Sequence, residues 1–86
     1  MKYDDDMKRR LRRVEGQVRG VLKMMEENKN CKDVVSQLSA VRSAIDKTMA
    51  LVVAVNLEQC ILEEQEKGRD THKVVQEAVE LLVKSR

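Results

Sequence analysis

The chain of 86 residues contains no Phe, Trp or Pro and only one Tyr, while 37% of its residues are charged. This length allows one domain at most, and without large aromatic side chains a single copy has little apolar surface to bury, so several copies are expected to associate. The net charge is only +2, but residues 7–23 hold seven basic side chains against Glu15 alone, a local charge of +6 that favours a polyanionic partner.

The sequence argues against a membrane protein, a secreted protein and an enzyme. Its longest apolar run, Met49 to Val55, is far shorter than the ~20 residues that a spanning helix needs, and no stretch reads as a signal peptide. We therefore expect a cytoplasmic protein, in which two cysteines indicate chemistry or metal binding more than a structural disulfide. No acid–base constellation or cofactor-binding loop is visible, so neither catalysis nor a resident cofactor is expected.

The first predicted helix covers about residues 5–27. Apolar residues recur there at spacings of three and four from Met7 to Met25, which is the periodicity of an amphipathic helix. The preceding acidic run, residues 4–6, suits a helix N-terminus both as a cap and through the helix dipole. Residues 28–30, Asn-Lys-Asn, interrupt the pattern because Asn favours turns and caps.

The second predicted helix is long and covers about residues 31–67. Its periodic stretch contains no Gly or Pro before Gly68, where we expect it to end. Residues 49–57 are apolar nearly all round, which indicates burial on every side. Because the first helix is too short to cover it, we expect two copies to pack antiparallel as a four-helix bundle, with further pairing into larger assemblies.

A short third helix is predicted over about residues 71–84, with Asp70 or Thr71 as its cap. No internal repeat or domain boundary is visible. The predicted fold class is therefore all-α, with a three-helix protomer that forms a single domain over residues 1–86.

The two cysteines, Cys31 and Cys60, are 29 residues apart on the second helix. This is close to eight full turns, so they share a face but are separated by about 43 Å of helix rise. No disulfide or shared metal ion can join them within one chain, since bridged Cα atoms lie within ~7 Å. In an antiparallel pair of helices, however, Cys31 of one chain can lie opposite Cys60 of the other, which gives two equivalent sites per dimer.

The two thiols are expected to differ in reactivity. Cys31 begins a helix beside Lys29 and Lys32, which favours an anionic, attacking sulfur. Cys60 lies mid-helix among glutamates, which favours the role of the resolving thiol. The alternative is that both cysteines are small hydrophobic residues on a buried stripe.

A metal site is a competing functional interpretation. Two thiolates suit Cu(I), but a third ligand usually comes from His or another Cys. The residue one turn before Cys60 is Asn56, a poor ligand for soft metals, and the only histidine, His72, lies beyond Gly68.

The basic residues of the first helix lie on a face opposite its apolar stripe, and Arg42 and Lys47 add positive charge on the second helix. Such faces suit contacts with phosphates, although an ordinary solvated face is the alternative. The sequence has no helix-turn-helix, zinc-finger or RNA-binding aromatic signature, so DNA binding would use the assembled helical surface.

Several stretches resemble the copper-sensitive operon repressor (CsoR/RcnR) family across almost the whole chain. They are RVEGQVRG over residues 13–20, DVVSQLSAVRSAIDK over 33–47, NLEQC over 56–60 and LLVKS near the end. The resemblance implies a three-helix protomer, a four-helix-bundle dimer and a dimer of dimers. It also implies a repressor that leaves its operator DNA when a sensor site is occupied.

The resemblance also implies roles for individual residues. Copper sensors of the family use a Cys at the start of the second helix and His-x-x-x-Cys later on it; here Cys31 and Cys60 match the cysteines, whereas Asn56 stands in place of the His. A cysteine pair without this His is similar to the persulfide-sensing, CstR-like branch. Arg10 and Lys47 match positions that contact DNA in the family.

Three hypotheses follow. The leading one is a repressor that binds operator DNA when reduced and is released when reactive sulfur species modify or bridge Cys31 and Cys60 of the partner subunit. The second is a Cu(I)-sensing repressor with an atypical site made of the same two cysteines. The third is a helical interaction protein whose cysteines are structural. In the repressor hypotheses the predicted DNA contacts are Arg10, Arg13, Arg42 and Lys47, with Arg13 and Arg42 chosen from their charge and position.

Overall fold

The computed structural model describes residues 2–85 and contains three α-helices with no strand among these residues. They are α1 (Asp5–Glu26), α2 (Cys31–Glu66) and α3 (His72–Lys84). The predicted all-α, three-helix protomer is therefore confirmed. Both α1 and α2 end one residue earlier than predicted, and α3 begins one residue later.

The N-terminus of each helix is fixed by a side chain that satisfies a free backbone N–H group. Asp4 accepts a hydrogen bond from the backbone N–H of Met7 at 2.9 Å, as the acidic run predicts. Asn30 accepts from the N–H of Asp33 at 2.9 Å. Before α3 it is the Asp70 carboxylate that accepts from the N–H of His72, at 3.1 Å.

Helices α1 and α2 end in the same way, with a residue in the left-handed region. Asn28 has φ 57° and Gly68 has φ 70°. At the end of α1 the N–H of Lys29 donates to the carbonyl of Met24, and an equivalent bond joins Arg69 to Glu64. These bonds satisfy carbonyl groups that have no partner inside the helix, so each break is encoded locally.

The described chain falls into two compact units, residues 2–48 and residues 49–85. In the first, α1 and the first half of α2 form a helical hairpin whose core contains Val14, Val21 and Val41. In the second, which contains the rest of α2 and α3, Ala78 is the only described residue that is buried. The predicted single-domain organisation stays a prediction.

No described helix has an apolar stretch long enough to cross a membrane.

Gly68→Ala should lower the thermal stability of the protein. Because a Cβ atom at φ 70° is strained, we expect a loss of about 1 kcal/mol, or a fall of roughly 4–8 °C in Tm. The matched control is Gly16→Ala, since Gly16 lies inside α1 and an added Cβ there would meet no described atom within 4 Å. Alanine at this position should stabilise the helix by about 0.5–1 kcal/mol. Circular dichroism melts at equal protein concentration measure both changes, and equal effects in the two variants would contradict the expectation.

Candidate nucleic-acid interface and thiol sites

Three of the four predicted DNA contacts converge on one groove within residues 2–48. The groove has a volume of about 410 Å³ and lies between α1 and the first half of α2. Its lining comprises three residues of α1 and five of α2, namely Arg10, Arg13, Gln17, Ala40, Ser43, Ala44, Lys47 and Thr48. The walls are therefore cationic and hydroxyl-bearing, with two alanines that leave space between the helices.

The spacing of the lining residues explains this convergence. Arg10, Arg13 and Gln17 are three and four residues apart, so they follow one face of α1. On α2, Ser43 and Lys47 are likewise one turn apart. The fourth predicted contact, Arg42, is exposed but does not line the groove, because it is rotated by about 140° from Lys47 around the helix axis.

The cations of the groove differ in their partners. Arg10 donates from Nε to the Asp6 carboxylate at 3.1 Å in an exposed pair, which contributes at most about 1 kcal/mol. Within residues 2–85, Arg13 and Lys47 take part in no ion pair. These two cations are therefore available to an external anion without loss of an internal partner.

Gln17 is not among the contacts predicted from the sequence, although its register with Arg10 and Arg13 places it on the same face. Its Oε1 atom is buried and has no hydrogen-bond partner among the described residues. A buried acceptor without a donor is uncommon in folded proteins, so this atom requires an explanation.

Cys31 is the first residue of α2 and its side chain is exposed. Its surroundings are less positive than the sequence predicts, because the Lys29 ammonium lies 3.9 Å from the Glu27 carboxylate. Asp33 adds a negative charge in the first turn of α2. The thiol is accessible to a metal ion, to a small reagent or to a second chain.

Cys60 is half-buried and its Sγ donates a weak hydrogen bond to Asn56 Oδ1 at 3.9 Å. The residue that replaces the family's expected histidine therefore contacts the thiol directly. His72 is exposed at the start of α3, and the described residues contain no cluster of three or more side chains that could hold a metal ion. Within the described part of the chain, the thiol donors are thus Cys31 in one unit and Cys60 in the other.

Residues 3–84 match the family of metal-sensitive transcriptional repressors. The chain belongs to this family. The earlier resemblance to the copper-sensitive operon repressors is thereby confirmed, and so is the expectation of a transcriptional repressor rather than an enzyme.

The chain is similar to curated proteins that include two copper-sensing repressors. The chain is 59% identical to YrkD of Bacillus subtilis over 63 residues, and this aligned region covers 73% of this chain and 100% of YrkD. It is 47% identical to the copper-sensing transcriptional repressor RicR of Mycobacterium tuberculosis over 57 residues, and this aligned region covers 66% of this chain and 59% of RicR. To the copper-sensing transcriptional repressor CsoR of Bacillus subtilis it is 30% identical over 83 residues, or 96% of this chain and 81% of CsoR.

A solved structure of the family confirms the helical fold. The nickel-responsive transcriptional regulator InrS superposes with a TM-score of 0.79 at 31% identity, covering 96% of this chain and 92% of InrS. These named repressors respond to copper or nickel. The predicted place in the persulfide-sensing branch gains no support from them.

Proposed function

We propose that this repressor binds operator DNA through the basic groove and that it leaves DNA when Cys31 and Cys60 are occupied by Cu(I). The observation that carries the DNA-binding part is the convergence of Arg10, Arg13 and Lys47 on one groove. Guanidinium and ammonium groups are the usual partners of phosphate oxygens, and their contacts release counterions from DNA. Membership of the repressor family supports the same part of the proposal.

The Cu(I) part is supported by relatives and by donor chemistry. Two of the relatives are copper-sensing repressors, and thiolates are soft ligands that select Cu(I). Asn56 contacts Cys60 but offers only a hard amide oxygen. The residues therefore suit a site of two sulfur ligands, and we propose that Cys31 of one chain and Cys60 of its partner supply them.

A second candidate is that the inducer is a reactive sulfur species, since Cys31 and Cys60 are free thiols and Asn56 stands where the family's copper sensors have a histidine. An attacking Cys31 thiolate would take the outer sulfur of a persulfide, RSSH, to form a Cys31 persulfide and release the thiolate RS⁻. The partner's Cys60 thiolate would then attack the inner sulfur, forming the Cys31–Cys60 disulfide and expelling hydrosulfide. This route needs two thiols and no third ligand.

Operator binding measured with reduced, Cu(I)-loaded and polysulfide-treated protein tests the proposal and separates the two inducers. A duplex selected from a random pool by the reduced protein serves as the operator. Release by Cu(I) alone supports the first candidate, and release by polysulfide alone supports the second. If the reduced protein selects no duplex, the DNA-binding part of the proposal is wrong.

We further propose that the protein acts as an antiparallel four-helix-bundle dimer that pairs into a tetramer. The support is an apolar stripe on α1 that the chain itself leaves exposed, formed by Leu11, Val18, Leu22 and Met25, whose exposed fractions range from 43% to 57%. Exposed apolar residues also follow one face of the first half of α2, at Val35, Leu38 and Ile45. Such contiguous surface indicates a protein–protein interface.

Leu22→Glu should shift the assembly towards single chains of 9.9 kDa, because it places an unpaired charge in an apolar interface. Lys23→Glu is the matched control, since Lys23 is the adjacent residue and its side chain is 75% exposed. Light scattering coupled to size-exclusion chromatography gives the masses. A wild-type protein that elutes as a single chain would contradict the proposed assembly.

A further inference from the structure

The buried Oε1 atom of Gln17 lies in a groove whose other polar side chains are mostly hydrogen-bond donors. Gln17 is one helical turn from Arg13 on α1, and Lys47 and Ser43 line the groove from α2. Arg supplies five N–H donors and Lys three, and neither can accept a hydrogen bond. Even so, Gln17 Oε1 has no hydrogen-bond partner among the described residues.

Charge repulsion explains why these donors stay away from the acceptor. Arg10, Arg13 and Lys47 all carry positive charge, and drawing them together between two helices is unfavourable without an anion to neutralise them. Arg10 is already drawn to Asp6, while Arg13 and Lys47 are exposed. The groove of the free chain is thus an incomplete polar network, in which donors and an acceptor are present but not joined.

We propose that one phosphodiester group of the operator completes this network and that Gln17 is the positioning residue of the phosphate site. The phosphate neutralises Arg13 and Lys47 and draws them into the groove, where an N–H group of one of them reaches Gln17 Oε1. The same amide has two N–H donors of its own, which suit a phosphate oxygen. The inference rests on the proposed DNA binding, and it identifies the group that this groove recognises.

A phosphate fits these walls better than a carboxylate partner from a protein does. The lining combines guanidinium, ammonium, amide and hydroxyl donors from several directions, which suit the tetrahedrally arranged oxygens of a phosphodiester better than the two coplanar oxygens of a carboxylate. Asp6 already supplies a carboxylate to Arg10 at the first turn of α1. Arg13 and Lys47, which line the same groove, have no such internal partner among the described residues.

Gln17→Met tests the inference because it keeps the length of the side chain and removes its amide. Removal of an unsatisfied buried acceptor should raise the Tm of the free protein by a few degrees. The same change should weaken operator binding about tenfold, since a hydrogen bond to a charged group is lost in the complex. A residue that only fills space would not move stability and DNA affinity in opposite directions.

Two further measurements identify the route by which Gln17 acts. In an Arg13→Ala and Lys47→Ala background, Gln17→Met should weaken operator binding less than it does in the wild type, because the cations that Gln17 orients are absent. Gln17→Glu should weaken operator binding more strongly than Gln17→Met, because its carboxylate pairs with the cations and repels the phosphate. This variant keeps the test available if Gln17→Met does not fold.

The titrations use the full chain and the selected duplex, with and without inorganic phosphate at constant ionic strength. If inorganic phosphate inhibits operator binding by the wild type but not by Gln17→Met, the groove also binds the free anion. If phosphate inhibits operator binding by neither protein, the groove binds only the phosphates of the DNA backbone. Unchanged operator affinity in Gln17→Met, or a Tm that falls together with the affinity, would overturn the inference while the proposed function stands. Absence of salt-dependent DNA binding by the wild-type protein would instead refute the proposed function.

Discussion

Cu(I) loading is expected to weaken operator binding by the wild-type protein by about 5–150-fold, which corresponds to a coupling free energy of ~1–3 kcal/mol between the two sites. The physical reason is that Cys31 and the partner's Cys60 would hold Cu(I) at the proposed site, and this would stabilise one arrangement of the helices over another. Cys60→Ala should bind the operator like the wild type when metal-free and should lose the response to Cu(I). Anaerobic titrations of fluorescently labelled operator with each protein give the affinities.

Asn56→His is the matched variant that separates copper from sulfur chemistry. Residue 56 lies one turn before Cys60 and its side chain already contacts the thiol at 3.9 Å. An imidazole nitrogen there would add a ligand better suited to Cu(I) than an amide oxygen, so this variant should bind Cu(I) more tightly. It should leave the reaction with polysulfide unchanged, because disulfide formation uses the two sulfur atoms alone.

The sulfur candidate predicts a different set of products. Polysulfide treatment should then give covalent dimers linked through Cys31 and Cys60, detected by mass spectrometry, and the treated protein should release the operator. If Cu(I) does not change the affinity of the wild-type protein for the operator, the copper proposal is wrong. DNA release with both thiols unmodified and metal-free would contradict both candidates.

The helices were predictable because their ends are encoded locally. Asp4 and Asp70 cap helices through bonds to residues two or three positions away, and Asn28 and Gly68 adopt the left-handed conformation that ends a helix. The three-four periodicity of apolar residues then predicts an apolar face of α1 without knowledge of its partner, although only Met7, Val14 and Val21 of this face are buried within the chain. These signals require no information on how the helices pack.

The groove was only partly predictable because it depends on the register between two helices. Arg10, Arg13 and Lys47 could be selected by charge and by resemblance, but Arg42 has the same charge and does not line the groove. Nothing in the local sequence showed that Gln17 Oε1 would be buried without a donor. The identity of the inducer is also beyond local sequence signals, since the proposed sensor site joins two chains.

Replacement of both Arg13 and Lys47 by alanine should weaken DNA binding strongly and reduce its dependence on salt. Each phosphate that the protein neutralises contributes about 0.9 to the slope of log K against log salt concentration. Because Arg13 and Lys47 are proposed to hold one phosphate together, the double variant should have a slope shallower by about 1 for each groove that contacts DNA. The affinity should fall by about 10–100-fold at moderate salt, and it should fall equally for operator and unrelated duplexes, because phosphate contacts carry no sequence information.

Single variants separate this groove from general surface charge. Lys73→Ala removes an equal charge on α3, outside the groove, and should leave the slope nearly unchanged. Arg10→Ala should have a smaller effect than Arg13→Ala, since binding of a phosphate to Arg10 must first displace Asp6. Arg42→Ala tests the extent of the interface. An unchanged salt slope in this variant would confine the DNA contacts to the groove. A decrease in slope as large as that of Arg13→Ala would show that the cationic face of α2 outside the groove also contacts DNA. If the double variant keeps the wild-type slope, the groove is not the DNA interface.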